Sequence, residues 1–155
     1  MFSYVDPDHF GATKNQGATL GVDIDGFHLL PHTELGADLR YAATTGPVET
    51  QYYYAGGPRL SLNIGRFKPY GDFLFGHGKS VFKNPSDPTY TYDVTPAITF
   101  GGGLDYQLTR SWAIRADVQQ ERWRFSIRQQ PFYPLSASIG ATYQFHFHSR
   151  TGPNL

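Results

Sequence analysis

The stretch Gly140–Phe147, GATYQFHF, lies almost at the end of the chain and reads in twos. Ala141, Tyr143, Phe145 and Phe147 fall on one face, Thr142, Gln144 and His146 on the other. Successive side chains of a β-strand point to opposite sides of the sheet, so strict alternation marks a strand with two unlike faces. Here one face is almost wholly aromatic. Something apolar has to cover it, either a second layer of the protein or the medium around it.

The composition narrows the choice. The chain has 155 residues, with Lys+Arg 13 and Asp+Glu 13, so formal net charge is zero. That leaves no basic footprint for nucleic acid. No cysteine is present, which excludes disulfides, thiolate catalysis and cysteine-ligated zinc. Aromatics reach 16% while charged residues are 17%, below the roughly 25% of soluble domains. No apolar run approaches the roughly 20 residues of a transmembrane helix.

Period-two alternation extends over most of the chain, and the expected fold is all-β with about eight strands. Leu20, Val22 and Ile24 oppose Thr19, Gly21, Asp23 and Asp25. Leu35, Ala37, Leu39 and Tyr41 oppose Glu34, Gly36, Asp38 and Arg40. Tyr52, Tyr54, Leu60, Leu62 and Ile64 oppose Gln51, Arg59, Ser61 and Asn63, with Gly56-Gly57-Pro58 suggesting a bulge. Phe73 and Phe75 lie opposite Asp72. Ile98, Phe100, Leu104 and Tyr106 oppose Thr99, Gly101, Gly103 and Asp105; Trp112, Ile114, Ala116 and Val118 oppose Ala113, Arg115, Asp117 and Gln119. The glycines of "GGGLD" sit mid-strand, where they allow close packing rather than cradle a phosphate.

The connections alternate in length. Those around His28–His32, Gly65–Phe67 and Thr109–Ser111 are tight; Asp6–Gln16, Thr44–Val48, Lys79–Thr95 and Ser126–Pro134 are longer. In an antiparallel meander, alternate connections share an end. Short turns at one end and long loops at the other are the asymmetry of outer-membrane barrels. Which face points out follows from the polar face. A soluble exterior is rich in lysine and glutamate. Here Lys14, Lys79 and Lys83 fall in connections and Lys68 at the start of a strand, and the polar face mixes Gly, Ser and Thr with Asp and Arg. Such a face suits a narrow interior, and the aromatic face then belongs to lipid, with Tyr and Trp rings near the interfaces.

With these residues in view, the chain resembles the OmpA/OmpX-type eight-stranded outer-membrane β-barrel family. The runs that carry the resemblance are AGGPR at Ala55–Arg59, PYGDFLFG at Pro69–Gly76, and the stretch Gly101–Val118. The resemblance covers essentially the whole chain and implies location in the cell outer membrane. Gly140, Tyr143, Phe145 and Phe147 resemble the terminal signal strand by which barrel-assembly machinery recognises its clients, although a tail follows them. The expected organisation is a barrel over 1–147 and a short tail over 148–155. The resemblance further implies a signal peptide and a full first strand. Only the fragment Phe2–Val5 is visible, so the sequence is expected to begin inside strand one.

The candidate interior is a charge network of Asp23, Asp38, Arg40, Arg59, Asp72, Asp105, Arg115 and Asp117, with Asp25 beside it. Buried carboxylates paired with guanidinium groups act as a structural plug, because unpaired burial is too costly. The expected role is structural or surface-interacting, with no catalytic residues, no metal and no cofactor. The expected partners are outer-membrane lipid, the assembly machinery and an extracellular ligand held by the long loops, with no nucleic acid among them. A small porin-like pore is the first alternative and a lipid A-modifying barrel enzyme the second. For the enzyme, Ser136, Ser138 and His146 share only the inward face, and His148 and Ser149 point to opposite faces. His28, His32, His146 and His148 match no strong metal spacing. A soluble lipocalin-like carrier is the third alternative.

Overall fold

The computed structural model describes residues 1–6, 14–83, 91–124 and 131–145. Eight strands follow one another: β1 Phe2–Asp6, β2 Asn15–Leu30, β3 Thr33–Thr45, β4 Glu49–Leu62, β5 Phe67–Phe82, β6 Tyr92–Gln107, β7 Trp112–Trp123 and β8 Leu135–Tyr143. Every strand is antiparallel to its neighbours in sequence, and β1 also pairs with β8, so the sheet closes into a barrel. Closure gives strand backbone groups partners within the sheet, which a medium without water demands.

The faces are inverted relative to a soluble barrel. Along β7 the buried positions are Ala113, Arg115, Asp117, Gln119, Glu121 and Trp123, and the outward ones begin Trp112, Ile114, Ala116, Val118. Outside, Leu20 is 69% exposed and Phe27 73%. Aromatic pairs ring the turn end: Phe67 with Tyr106 at 5.0 Å, Trp112 with Tyr143 at 5.1 Å, and Tyr143 with Phe145 at 4.9 Å between ring centroids. Amphipathic rings favour a membrane–water boundary.

The turns follow local chemistry. Gly65, between β4 and β5, has φ 62°, which glycine adopts without steric cost. His32, between β2 and β3, has φ 72°, an uncommon conformation for a residue with a Cβ. His32 is held there partly because its carbonyl accepts from the Asn63 amide of the adjacent turn at 2.7 Å.

Several sequence expectations need correction, among them the Thr44–Val48 connection, expected to be long but only residues 46–48, since β3 ends at Thr45 and β4 begins at Glu49. Gly56-Gly57-Pro58 forms no bulge: the register of β4 with β3 runs unbroken from Thr33↔Leu62 to Thr45↔Thr50. Pro58 faces outward, where its missing N–H costs only a local gap in pairing with β5. The irregularities lie instead in β2, where register shifts fall between Asp25 and Phe27 and between His28 and Leu30. Both ends of Lys79–Thr95 are strand, since β5 continues to Phe82 and β6 starts at Tyr92, and 84–90 lie outside the described residues. Lys79 is therefore an outward strand residue rather than a loop residue. At the chain end, β8 stops at Tyr143; Phe147 and the tail lie outside the described residues.

β1 is short. It pairs with Asn15–Ala18 of β2 and Leu135–Ile139 of β8, all at the loop end. At its foot, the Met1 amine donates to the Thr19 carbonyl at 2.7 Å and the Thr19 amide to the Met1 carbonyl at 2.9 Å.

Candidate functional site

Inward parity sets three arginines from β3, β4 and β7 into one lumen. Arg40 is the upper centre. Its Nη1 donates to both oxygens of Asp117 at 2.9 Å, its Nη2 to Asp38 at 2.8 Å and to Asp72 at 2.7 Å, and its Nε to Asp38 at 3.1–3.2 Å. The planar fork of a guanidinium serves several carboxylates at once, which a lysine ammonium does not. Gln119 adds donors to Asp72 at 3.1 Å and Asp117 at 3.0 Å.

Arg115 and Arg59 form the lower centre. Arg115 grips Asp105 at 2.6 and 2.7 Å and Asp23 at 2.8 and 3.1 Å. Arg59 donates to Asp105 at 3.1 Å; its Nη1 lies 2.6 Å from Asp23, an ion pair off the hydrogen-bond axis. Tyr70 joins the two centres. Its hydroxyl donates to Asp117 at 2.6 Å, and its ring lies 3.8 Å from the Arg59 guanidinium carbon and 4.9 Å from that of Arg115. Gly103 makes room for it: a Cβ there would lie 2.6 Å from the Tyr70 hydroxyl. Nearer the turn end, Lys68 bridges Asp25 at 2.5 Å and Glu34 at 2.8 Å, and His28 lies 3.2 Å from Glu34.

Toward the loop end the filling changes character. Tyr53, Ala55, Leu74, Ala97, Trp123 and Phe132 form a small apolar core inside the barrel. Trp123 stacks on Tyr53 at 6.3 Å and meets Phe132 edge-on at 5.4 Å. Its indole N–H donates to Glu121 at 2.6 Å, and Tyr53 shares a 2.6 Å hydrogen bond with Thr99. Gly78 clears the space: a Cβ there would sit 2.5 Å from Cζ2 and Cζ3 of Trp123. Beside this core, Ser138 donates to Ser3 at 2.8 Å and Ser3 meets Thr19 at 2.6 Å.

The structure thus brings Asp23, Asp38, Arg40, Arg59, Asp72, Asp105, Arg115 and Asp117 into one connected network, while Asp25 pairs with Lys68 nearer the turn end. Ser136 and Ser138 are buried inside the barrel, and His146, His148 and Ser149 lie outside the described residues. Gly140, Tyr143 and Phe145 border the turn end; Phe145 is 74% exposed beyond the end of β8. Among the described residues no group of three acids or histidines has metal-binding geometry. Sequence reasoning placed Gln119 on the inner face without assigning it to the network, and missed Tyr70 and the Tyr53–Trp123–Phe132 core. Tyr70 had a usable signal, the same parity as Asp72 two residues on. Trp123 shares parity with Arg115 and Asp117, but polar Gln120 and Arg122 on the outer face hide the continuation of the strand.

No protein-family model matches the chain, and no curated protein does. Its backbone is similar to solved structures. Neisserial surface protein A superposes at TM-score 0.67, over 91% of this chain and 92% of that one, with 10% identical residues. Ail, the attachment invasion locus protein of Yersinia pestis, gives 0.60 over 93% and 92%, at 21% identity. The outer membrane enzyme PagL gives 0.60 over 89% and 94%, at 14% identity. The fold is that of the eight-stranded outer-membrane barrels.

Proposed function

We propose that this chain is an outer-membrane protein whose barrel anchors and presents its long loops, with a structural or surface-interaction role and no enzymatic one. The observation that carries this is the filled lumen. An ionic layer around Arg40 and Arg115 and an aromatic layer around Trp123 close it in series. An eight-stranded barrel has an interior just wide enough for side chains, so both layers fit and a standing water path does not. The aromatic, charge-poor exterior supports lipid as the surrounding medium.

Two proteins with this fold are named for surface exposure or attachment and one is an enzyme. The non-enzymatic role is favoured here because Ser3, Ser136 and Ser138 are buried inside the barrel, where a membrane-surface substrate does not reach. The test is expression behind a secretory signal, outer-membrane fractionation, and gel mobility with and without boiling, followed by planar-bilayer recording. A heat-modifiable outer-membrane band without steady single-channel conductance is expected. A soluble protein whose mobility ignores boiling overturns the assignment. Steady conductance transfers it to a pore.

A further inference from the structure

We propose that a small cavity in the loop half of the lumen is a binding site for one monovalent cation, held by the Glu121 carboxylate and the neutral oxygens around it.

The acids of the two ionic centres all have a cationic partner. Arg40 serves Asp38, Asp72 and Asp117, and Arg59 and Arg115 serve Asp23 and Asp105. Glu121 has none. It is 7% exposed, and its carboxylate accepts one hydrogen bond, from the Trp123 indole at 2.6 Å. No lysine, arginine or histidine among the described residues pairs with it. A buried charge without a counter-ion is costly, so buried carboxylates are normally paired or neutralised.

Glu121 borders a cavity of about 20 Å³ inside the barrel, enough for one water-sized occupant. Five further strands bring polar side chains to it: Ser3 from β1, Thr19 from β2, Thr44 from β3, Gln51 from β4 and Ser136 from β8. The register explains both the gathering and the space. Ser3 lies opposite Gly17, Gly17 opposite Thr44, and Thr44 opposite Gln51, so one row crosses four strands and Gly17 adds no side chain to it. Thr44 and Ser136 are 4% and 8% exposed, yet neither hydroxyl has a hydrogen-bond partner among the described residues. Buried hydroxyls are normally partnered, so these two point to an occupant of the cavity they line. Gln51 gives its amide N–H to Glu49 at 2.9 Å, which leaves its carbonyl oxygen for the cavity.

The donor set fits a monovalent ion. One carboxylate balances one positive charge, and hydroxyl and amide oxygens complete the shell. Calcium gathers several carboxylates and transition metals take imidazole or thiolate, none of which lines this cavity. The Tyr53 and Trp123 rings close the wall, and a low-dielectric boundary strengthens the attraction between ion and carboxylate. The ion draws on six strands, including both sides of the β1–β8 closure, and so ties the loop ends of the barrel together.

The test uses the full chain with W112F, which leaves Trp123 as the remaining tryptophan, refolded in phospholipid vesicles. It is titrated with urea in sodium chloride or in choline chloride of equal ionic strength, and indole emission is followed. At the urea concentration that half-unfolds the protein in choline, sodium at about ten times its dissociation constant is expected to raise the folded-to-unfolded ratio about tenfold. Trp123 emission is expected to shift over the same sodium range, because its N–H bonds the carboxylate that holds the ion. E121Q keeps an acceptor for the indole but no charge. It is expected to lose the sodium response and to match or exceed the parent protein in choline. T44V and S136A each remove one oxygen and are expected to need several-fold more sodium. Equal stability in the two salts, or a sodium response that survives in E121Q, overturns the site. Where E121Q lacks the unboiled gel mobility of a folded barrel, T44V and S136A decide, and sodium curves identical to the parent overturn it. Infrared spectra separate the ion from a proton. A protonated-carboxyl band that is present in sodium and lost in E121Q means that a proton neutralises Glu121, and the cation site falls.

Discussion

Replacing Arg40 with glutamine tests whether the lumen is a dry plug or a hydrated passage. The Arg40 side chain is 4% exposed, and its partners Asp38, Asp72 and Asp117 are 1%, 0% and 1% exposed. R40Q leaves three buried carboxylates without their shared cation. Tyr70 and Gln119 still donate to Asp117 and Asp72, but neither carries charge. Removing one partner from a buried ion pair costs about 3–5 kcal/mol, and the loss here falls at the upper end because three acids share one guanidinium. With a urea slope near 2 kcal/mol per molar, the unfolding midpoint drops by roughly 1.5–2.5 M. The assay is urea titration of the barrel refolded in phospholipid vesicles, followed by the fraction retaining unboiled gel mobility. R40K is expected to fall between, since an ammonium cannot fork across three carboxylates. Neutralising the acids as well, in R40M/D38N/D72N/D117N, recovers at least half of the loss. An R40Q midpoint within about 0.3 M of wild type refutes the reasoning. It would mean that water solvates these carboxylates and that the ionic layer is not a dry plug.

Four further outcomes are expected. G78V drives a side chain into the Trp123 ring; it costs about 1–3 kcal/mol in the same titration and red-shifts tryptophan emission, and an unchanged spectrum argues against the buried indole. W123A removes the largest buried side chain and costs about 3–5 kcal/mol, yet stays silent in planar bilayers because the Arg40 layer below persists. F100K places a charge on the outer wall at a residue 55% exposed; lipid makes this cost about 2–4 kcal/mol, whereas water would make it nearly neutral. H32G relieves the left-handed turn conformation and gains roughly 0.5–1 kcal/mol; a loss would assign the imidazole a partner of its own.

Much of the architecture was legible because period-two alternation is local and each strand states its two faces. The face of Ile114, Ala116 and Val118 could be told from that of Arg115 and Asp117 with no knowledge of their neighbours. The eight network residues were legible for the same reason, since a charge on the small-residue face has only the lumen to enter. Strand ends were not, because the loop ends of the strands continue beyond the apolar belt. There Lys79 faces outward in regular strand, and polarity alone reads it as loop. The aromatic layer was hidden by distance: Tyr53, Trp123 and Phe132 lie on different strands or beyond them, and only the closed ring makes them neighbours. Gly56-Gly57-Pro58 misled in the other direction, because residues that usually break a ladder are tolerated where the proline faces out.

The hydroxyl chain from Ser138 through Ser3 to Thr19 has a kinetic consequence. Its first link joins residues 135 apart in sequence, while hairpin contacts elsewhere in the ring join near neighbours. Hairpins form early because little chain entropy is lost in closing them; the seam loses the most and is made last. The seam is therefore the slow step of assembly. Substitutions at Ser3 or Ser138 should act on the rate at which the mature, boiling-sensitive form appears more than on the turns that precede it.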